Sequence, residues 1–170
     1  MEFYAKWAGA LLLAASGMLA GLGASHEYVR RMREIEAMIL CLNRMRAEIE
    51  LRLTPMNDIF RALSVLPGPC AAFFLELSAA LESGGGEPLD ILWRRAAEEN
   101  FRPCAARDIL AELGASLGCF DAGQECGAIT YAAGRLETEL EQARRENATQ
   151  GVLRRRLGAA AGIGLAILFL

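Results

Sequence analysis

The sequence predicts an all-α protein, a compact bundle of about six helices between an N-terminal transmembrane helix and a C-terminal membrane-embedded helix. In the middle of the chain, apolar residues recur at three- and four-residue steps, as they do on one face of a helix. No stretch alternates apolar and polar residues with the period of two that is typical of strands. Each end carries a segment without charged residues, in a chain that is 54% hydrophobic. These observations predict a helical domain attached to a membrane at both ends.

The first charge-free segment covers residues 7–25. As a helix it would rise about 28 Å, close to the hydrocarbon thickness of a bilayer. A signal peptide is the alternative, but a signal peptide carries its basic residues before the apolar run. Here Arg30, Arg31 and Arg33 follow the run. Residues 1–25 are therefore predicted to form a transmembrane helix.

The second charge-free segment ends the chain and follows Arg154, Arg155 and Arg156. As a helix it would rise only about 21 Å, which is short of a full span. Residues 154–170 are therefore predicted to be membrane-embedded, and a complete crossing stays open. Basic flanks remain on the cytoplasmic side of a membrane. Because both basic clusters flank residues 26–153, this central domain is predicted to be cytoplasmic.

Both charge-free segments contain glycines four residues apart, Gly17 with Gly21 and Gly158 with Gly162. Such spacing lets two membrane helices approach closely. Glycine-rich apolar segments also contain this spacing by chance, so helix pairing and ordinary composition both remain open.

The first half of the central domain predicts three helices. A long first helix continues from the membrane segment to Leu53, after which Thr54 is placed to cap a second helix and Pro55 to be its first residue. The second helix ends before Pro67-Gly68-Pro69, and a third follows. The apolar positions that mark these helices are Met32, Ile35, Ile39, Leu42, Ile49 and Leu53, then Met56, Ile59, Phe60 and Leu63, then Phe73, Phe74, Leu77 and Leu81.

The second half begins after Gly84-Gly85-Gly86, the strongest break in the chain, which splits the domain within residues 83–88. A fourth helix follows, a fifth starts at Pro103, and Asp121 is placed to cap the last one. The last helix carries apolar residues at alternating four- and three-residue steps, a seam like that of a coiled coil. The apolar positions are Leu89, Leu92, Trp93 and Ala96, then Ile109, Leu110 and Leu113, then Ile129, Ala133, Leu136, Leu140 and Ala143.

The sequence predicts no enzyme and no cofactor. The glycine triplet lacks the preceding strand and the Gly-Lys-Ser/Thr ending of a phosphate-binding loop. His26, the one histidine, lies at the predicted membrane boundary. Cys119, the cysteine best placed to be a nucleophile, therefore has no histidine to activate it.

The cysteines and the net charge limit other functions. The five cysteines are odd in number and have no Cys-x-x-Cys spacing, which predicts free thiols instead of disulfides or a metal site. A net charge of −3 argues against binding to nucleic acid.

Several short motifs keep a characteristic order and spacing over the full length. The most specific is Leu113-Gly114-x-x-Leu117-Gly118-x-x-Asp121. It is accompanied by the Thr54-Pro55 restart, the Leu66-Pro67-Gly68-Pro69 turn, the segment from Leu89 to Ala96 with its central Trp93, and the Leu-rich tail after Arg154 to Leu157. Together they resemble the stage III sporulation protein AB family of endospore-forming bacteria. One position departs from the pattern: where the family tends to carry a glutamine, about four residues beyond the aspartate, this chain has Glu125 with Gln124 beside it.

The resemblance implies a non-enzymatic membrane platform component of the channel complex that joins mother cell and forespore. The central domain is implied to be similar to the helical cytoplasmic domain of the type II secretion platform protein. The chain would lie in the mother-cell membrane around the forespore and link a cytoplasmic secretion-type ATPase to the membrane ring proteins. Membrane lipids would be its further partners, and a homo-oligomer stays open.

We expect the surface that meets the ATPase at the helix turns farthest from the membrane, around residues 52–55 and 118–124. The residues that would orient this contact are Arg94, Arg95, Asp108, Asp121 and Gln124. Alternatively, these residues are ordinary surface and Asp121 is only a helix cap. A second function also fits the sequence, that of a generic membrane-anchored helical scaffold or a homodimeric coiled-coil signalling protein.

Overall fold

The computed structural model describes residues 28–84, 86–118 and 121–168, and every regular element in these ranges is a helix. The helices are α1 at residues 28–52, α2 at Met56–Ser64, α3 at Ala71–Glu82, α4 at Leu89–Asn100, α5 at Ala105–Gly114 and α6 at Ala122–Leu168. The prediction of an all-α fold with about six helices is confirmed.

The chain divides into two compact units. One unit is Arg33–Glu141, which holds α2 to α5 with most of α1 and the first part of α6. The other unit comprises Gln142–Leu170 and the residues up to Met32. Within Arg33–Glu141, α2 packs on α3, α3 on α4 and α4 on α5. Residues 83–88 connect α3 to α4 inside this one unit.

Five aromatic side chains form the centre of the Arg33–Glu141 unit. Phe73 of α3 lies edge-on to Trp93 of α4, with ring centroids 4.9 Å apart. Phe60 lies 5.8 Å from Trp93, and Phe74 and Phe101 lie 5.0 and 5.8 Å from Phe73. Burying a side chain of this size stabilises a fold by roughly 1.5–3 kcal/mol. The aromatic cluster therefore joins α2, α3 and α4 into one core.

One face of α1 is buried, and it differs in part from the face that the sequence predicts. Ile39 is only half-buried, and Leu53 is 74% exposed. Leu53 was expected in the core, but α1 ends one residue before it and the backbone turns outward. The buried positions of α1 are Ile35, Met38, Cys41, Leu42, Met45 and Ile49.

The apolar seam of α6 is buried within the chain. Ile129 and Leu136 have no exposed surface, and Leu140 is also buried. Beside this seam, Arg46 Nη1 of α1 donates a hydrogen bond to Thr130 Oγ1 at 3.3 Å. The seam is therefore a packing surface inside one chain, covered without a second copy.

The helix starts confirm one predicted cap and correct another. Asp121 Oδ1 accepts a hydrogen bond from the Gln124 N–H at 2.8 Å, so Asp121 caps α6 as predicted. Thr54 does not cap α2, because its hydroxyl donates to Glu48 Oε2 at 3.2 Å instead. Pro55, with φ −58° and ψ 142°, is in the N-cap position. The helix therefore begins one residue later than predicted.

The predicted membrane segments are only partly covered by the structure. Residues 1–25 lie outside the described residues. The backbone of the tail is helical up to Leu168, as the end of α6. Over the ranges that the structure describes, no helix combines the length and apolar character needed to cross a membrane. Membrane attachment stays a prediction.

Candidate functional site

The helices α1 and α6 run antiparallel. Cys126 Sγ of α6 donates to the Arg46 carbonyl oxygen of α1 at 3.9 Å, and Thr130 one turn further along α6 accepts from the Arg46 side chain. Glu50, one turn beyond Arg46 on α1, acts electrostatically on Cys126. Residues nearer the C-terminus of α1 therefore lie beside residues nearer the N-terminus of α6.

This pairing brings two turns to the same end of the Arg33–Glu141 unit. Residues 51–55 end α1 and lead to α2, and the described part of residues 115–124 leads from α5 into α6. We call these two segments together the turn end. It contains both of the turns at which the sequence predicts partner binding.

Two leucines are exposed at the turn end. Leu51 is 79% exposed, close to the value for Leu53. Leu53 has a left-handed backbone with φ 51°, and its N–H donates to the Ile49 carbonyl oxygen at 3.2 Å. This is the left-handed form of helix C-terminus, which normally uses glycine. A side chain in that conformation costs of order 1–2 kcal/mol, so the turn holds an exposed apolar group in a strained position.

Glu48 holds this turn in place. Besides the Thr54 hydroxyl, its carboxylate contacts Arg52 Nη1 at 3.2 Å. The Thr54 N–H also lies 3.4 Å from the Glu48 carbonyl oxygen. The ion pair with the exposed Arg52 stabilises little by itself. Together, the three contacts fix the backbone from which Leu53 projects.

The second segment of the turn end is closed by Gly118 and Glu125. Gly118 has φ +76°, which side chains rarely adopt, and the Leu89 side chain lies 3.4 Å from where its Cβ would be. The Gly118 N–H donates to Glu125 Oε1 at 2.7 Å. Hydrogen bonds to a charged acceptor are among the stronger ones in proteins. Glu125 therefore ties the first turn of α6 back to the end of the α5–α6 connection.

The helices α4 and α5, which support this turn, approach each other closely at Gly114 of α5. A Cβ at Gly114 would lie 2.6 Å from Trp93 Cδ1 of α4. Trp93 Nε1 donates to the Leu110 carbonyl oxygen at 2.8 Å. Leu113 and Leu117 are buried on either side. The Leu-Gly-x-x-Leu-Gly-x-x-Asp motif therefore packs α5 on α4 and shapes the turn that leads into α6.

Of the five residues predicted to orient a partner, the structure brings Asp121 and Gln124 together at the turn end. Both are exposed. Asp121 uses Oδ1 to cap α6, and the Gln124 side chain extends from the first turn of the same helix.

The other three predicted residues lie along α4 and α5. Arg94 is exposed on α4. Arg95 Nη2 lies 2.8 Å from Glu87 Oε2, and Asp108 Oδ1 lies 4.0 Å from Arg107 Nε. No hydrogen bond or ion pair of the described residues joins these three to Asp121 or Gln124.

The residues predicted to set membrane topology and helix pairing lie at the ends of the chain. Arg30 and Arg33 are exposed on α1, and Arg31 is half-buried. Gly17 and Gly21 lie outside the described residues. Five of the residues predicted for these roles belong to the helix α6, namely Arg154, Arg155, Arg156, Gly158 and Gly162. Their predicted roles stay predictions.

Sequence reasoning missed the exposed leucines. It assigned Leu53 to the buried face and gave Leu51 no role. A signal was present, because Pro55 disfavours a helical backbone at Thr54. The helix must then end before Thr54, which places Leu53 at the helix terminus and not in the middle of a buried face.

The prediction of free thiols is confirmed for the four cysteines that the structure describes, Cys41, Cys70, Cys104 and Cys126. Cys41 and Cys70 are buried and hydrogen-bonded to each other. That hydrogen bond lowers the pKa of the Cys41 thiol and raises that of Cys70, which burial raises further. Cys119 lies outside the described residues.

Cys126, which among the four described cysteines lies nearest the turn end, is poorly suited to nucleophilic chemistry. Its pKa is raised, first by burial and then by the negative charge of Glu50, and Arg46 offsets this only in part. A reactive cysteine needs a lowered pKa. Cys126 is therefore not an activated thiol, and the turn end beside it is better suited to contact with a partner.

These features define an all-α domain in which an antiparallel pair of long helices frames a small aromatic-cored bundle and presents two turns at one end. The family model described as stage III sporulation protein AB matches residues 6–170. The chain belongs to the stage III sporulation protein AB family. Family membership and fold together support a role in sporulation. No curated protein matches the chain.

A solved structure has the same fold. It is a stage III sporulation protein AB (SpoIIIAB), with a TM-score of 0.63 and 21% sequence identity. The match covers 70% of this chain and 97% of that one. At this level of identity the likeness concerns the fold.

Glu125, which stands where the resemblance leads us to expect a glutamine, has a clear role in the structure. Glu125 supplies the acceptor for the Gly118 N–H. The side-chain oxygen of a glutamine is also an acceptor. A glutamine at position 125 would therefore keep an acceptor for the Gly118 N–H.

Proposed function

We propose that the chain is a non-enzymatic membrane platform component of the channel complex between mother cell and forespore, linking a cytoplasmic secretion-type ATPase to membrane ring components. It lies in the mother-cell membrane around the forespore, with its central domain in the cytoplasm. Membership of the stage III sporulation protein AB family supports the sporulation role.

The observation that carries the platform proposal is the exposed pair Leu51 and Leu53 at the turn end. Binding interfaces typically have a few apolar anchors within a polar rim. Here the two leucines project from a turn fixed by Glu48, and Asp121 and Gln124 supply polar groups at the same end of the unit. The strained backbone at Leu53 also favours a binding role, because strain of this kind is concentrated at functional sites. We assign the turn end to the ATPase.

The antiparallel pair α1 and α6 supplies the connection to the membrane. In the sequence, the basic cluster from Arg30 to Arg33 lies in the first part of α1, and the arginine triplet at 154–156 lies in the last part of α6. In this proposal residues 1–25 cross the membrane and residues 154–170 insert into it. In this proposal α1 and α6 couple a contact made at the turn end to the bilayer.

The alternative of a homodimeric coiled coil needs a free apolar seam. The seam of α6 is instead buried within a single chain, with Ile129 and Leu136 fully covered. A dimer would have to use another surface or unfold this packing. The structure therefore favours the platform over the coiled coil.

Photocrosslinking in membranes of sporulating cells tests the proposal. A photoreactive amino acid in place of Leu53 should capture a secretion-type ATPase subunit. Leu51→Asp and Leu53→Asp, introduced in a chain with the crosslinker at position 124, should reduce the yield at least about tenfold. That corresponds to about 1.4 kcal/mol.

Leu75→Asp is the matched control, because Leu75 is also an exposed leucine, on α3. It should leave the ATPase adduct unchanged. The proposal fails where the crosslinker captures membrane neighbours but no secretion-type ATPase, or where the control and the turn-end variants lose the adduct equally.

A further inference from the structure

Two buried thiols from different helices meet inside the Arg33–Glu141 unit. Cys41 lies in the middle of α1, and Cys70 is the residue just before α3, so the whole of α2 separates them in the sequence. Cys41 is 6% exposed and Cys70 is 2% exposed. Their side chains are hydrogen-bonded to each other. The fold therefore brings together two cysteines that are far apart along the chain.

A second contact places Cys70 against the same side of α1. Its Sγ donates to the Glu34 carbonyl oxygen at 3.6 Å. Glu34 and Cys41 are seven residues apart, which is two turns of helix, so they lie on one side of α1. Carbonyl groups of a helix point towards its C-terminus, and that of Glu34 therefore points towards the turn that holds Cys41. Both contacts thus describe one packing arrangement, in which the start of α3 lies on α1.

The two thiols differ in reactivity. A hydrogen bond from Cys70 lowers the pKa of the Cys41 thiol, and the positive charge of Arg44 acts in the same direction, although burial opposes both. The same hydrogen bond raises the pKa of Cys70, and burial and the negative charge of Glu34 raise it further. Because Cys70 carries a single S–H, its donation moves from Glu34 to Cys41 when Cys41 loses its proton. The thiolate is the nucleophilic form of cysteine, so Cys41 is the sulfur that reacts first.

We propose that Cys41 and Cys70 are an oxidisable pair that hydrogen peroxide converts to a disulfide between α1 and the start of α3. The Cys41 thiolate attacks one peroxide oxygen and the O–O bond breaks, which leaves a sulfenic acid on Cys41. The departing hydroxide takes up the proton that Cys41 released. The Cys70 sulfur then attacks the Cys41 sulfur, the S–O bond breaks, and a second water carries away the Cys70 proton. Two thiols are oxidised, and one peroxide is reduced to two waters.

The small size of peroxide suits the burial of the pair. A bulky disulfide would have to open the fold to reach the Cys41 sulfur, whereas hydrogen peroxide is only slightly larger than water. In the cytoplasm, where we propose that this domain lies, disulfides are usually transient and redox-sensing. The thiol pair is therefore the resting form, and the disulfide forms on exposure to peroxide and is reversed by thiol reductants.

The disulfide closes a loop that contains α2 and the turn at Leu53. Within this loop α2 packs on α3, and Glu48 holds the Thr54 hydroxyl beside Leu53. A crosslink between Cys41 and Cys70 leaves the unfolded chain with fewer conformations and prevents α1 from separating from α3. Oxidation therefore stabilises the part of the unit from which Leu53 projects.

Peroxide treatment of the full chain, purified in detergent, tests the inference. Remaining thiols are blocked, the chain is digested without reductant, and mass spectrometry should recover peptides joined through Cys41 and Cys70. Cys104 and Cys126 are the internal control, because Cys104 lies just before α5 whereas Cys126 contacts α1. Their joint peptide should be at least about tenfold rarer, since a disulfide needs neighbouring cysteines. With a free cysteine peptide oxidised in the same tube, an unlinked Cys41, or a Cys41 linked to another cysteine, overturns the inference.

Single variants test the order of the two steps. In Cys70→Ser the reaction should stop at the Cys41 sulfenic acid, which dimedone captures. In Cys41→Ser, dimedone should label Cys70 at least about fivefold less, because Cys70 lacks the lowered pKa of a reactive thiol. Circular dichroism checks that each variant is helical, and Cys70→Ala replaces a serine variant that does not fold. Equal labelling of the two positions overturns the assignment of Cys41 as the first sulfur to react.

Thermal unfolding of the same samples tests the crosslink between the helices. The oxidised chain should unfold at least about 5 °C above the reduced chain. Dithiothreitol should reverse this rise, which separates the disulfide from any oxidation of methionine, and treated Cys70→Ser should show no rise. A disulfide that forms without raising the unfolding temperature overturns its role in holding α1 to α3.

Discussion

Gly114 of α5 lies against the indole of Trp93, so closely that a Cβ at Gly114 would come within 2.6 Å of Trp93 Cδ1. The indole N–H is fixed from the other side, because it donates to the Leu110 carbonyl oxygen one turn earlier in α5. Trp93 is also surrounded by the rings of Phe60 and Phe73. It therefore has little freedom to move away from α5.

We expect Gly114→Ala to destabilise the protein by about 1–3 kcal/mol, the usual cost of overpacking a rigid core. Gly134→Ala is the control. Gly134 also lies inside a helix, but nothing lies within 4 Å of its Cβ position. There alanine should stabilise by about 0.5–1 kcal/mol, because it favours the helix more than glycine does. Urea unfolding followed by circular dichroism measures both, and equal effects would contradict the close packing on Trp93.

Glu125 and glutamine should be interchangeable at the start of α6, whereas alanine should not. We expect Glu125→Gln to change the free energy of unfolding by less than about 0.5 kcal/mol, since an amide oxygen still accepts the Gly118 N–H. Glu125→Ala removes the acceptor and should cost about 1 kcal/mol. Hydrogen exchange of the Gly118 amide gives a local readout, with protection lost only in the alanine variant. Loss of protection in both variants would show that the negative charge, and not the acceptor, is needed.

Leu53→Gly should stabilise the isolated protein and weaken its partner contact. Glycine adopts the left-handed backbone of position 53 without the steric cost that a leucine bears. We expect a gain of roughly 0.5–1 kcal/mol in the free energy of unfolding, together with loss of the ATPase crosslink. Leu51→Gly, inside the last turn of α1, should destabilise instead. A Leu53→Gly variant that is less stable than the wild type would contradict the strained turn.

The rate at which Cys126 is alkylated should depend on Glu50. The negative charge of Glu50 contributes to the raised pKa of the Cys126 thiol, so thiolate forms only at alkaline pH. Glu50→Gln should lower this pKa and speed alkylation at a given pH below it, whereas Arg46→Gln should raise the pKa and slow alkylation. Rates measured against pH by mass spectrometry of the peptide with Cys126 give both shifts. Identical pH profiles would show that α1 does not lie beside α6 at this point.

The helices and the core were largely predictable from the sequence because they depend on local periodicity. Trp93, Phe73 and Ile129 fall at helical spacing among other apolar residues, and each is buried. Asp121 was recognisable as a cap because its side chain acts on the next few residues. These properties are set within one or two turns of helix, which is the range that a single sequence displays.

The parts that could not be predicted depend on contacts between distant segments. Thr54 has the chemistry of an N-cap, but Glu48 in the preceding helix takes its hydroxyl. The place of Cys70 beside Glu34 depends on how α3 packs against α1. At the candidate site, sequence reasoning pointed to the two turns and to charged residues on α4 and α5, whereas the exposed leucines followed only from the strained end of α1.

The antiparallel course of α1 and α6 also affects the unfolded state. The compact unit begins at Arg33 on α1 and ends at Glu141 on α6. Because these helices are antiparallel, both ends of the unit lie on the same side of it. If the bilayer holds both adjoining segments, the chain between them stays a closed loop of about a hundred residues even when its helices melt. A closed loop has fewer unfolded conformations than a free chain, and the entropy saved favours refolding. The membrane would then act on folding in the manner of a crosslink, and a marginally stable small core would be sufficient.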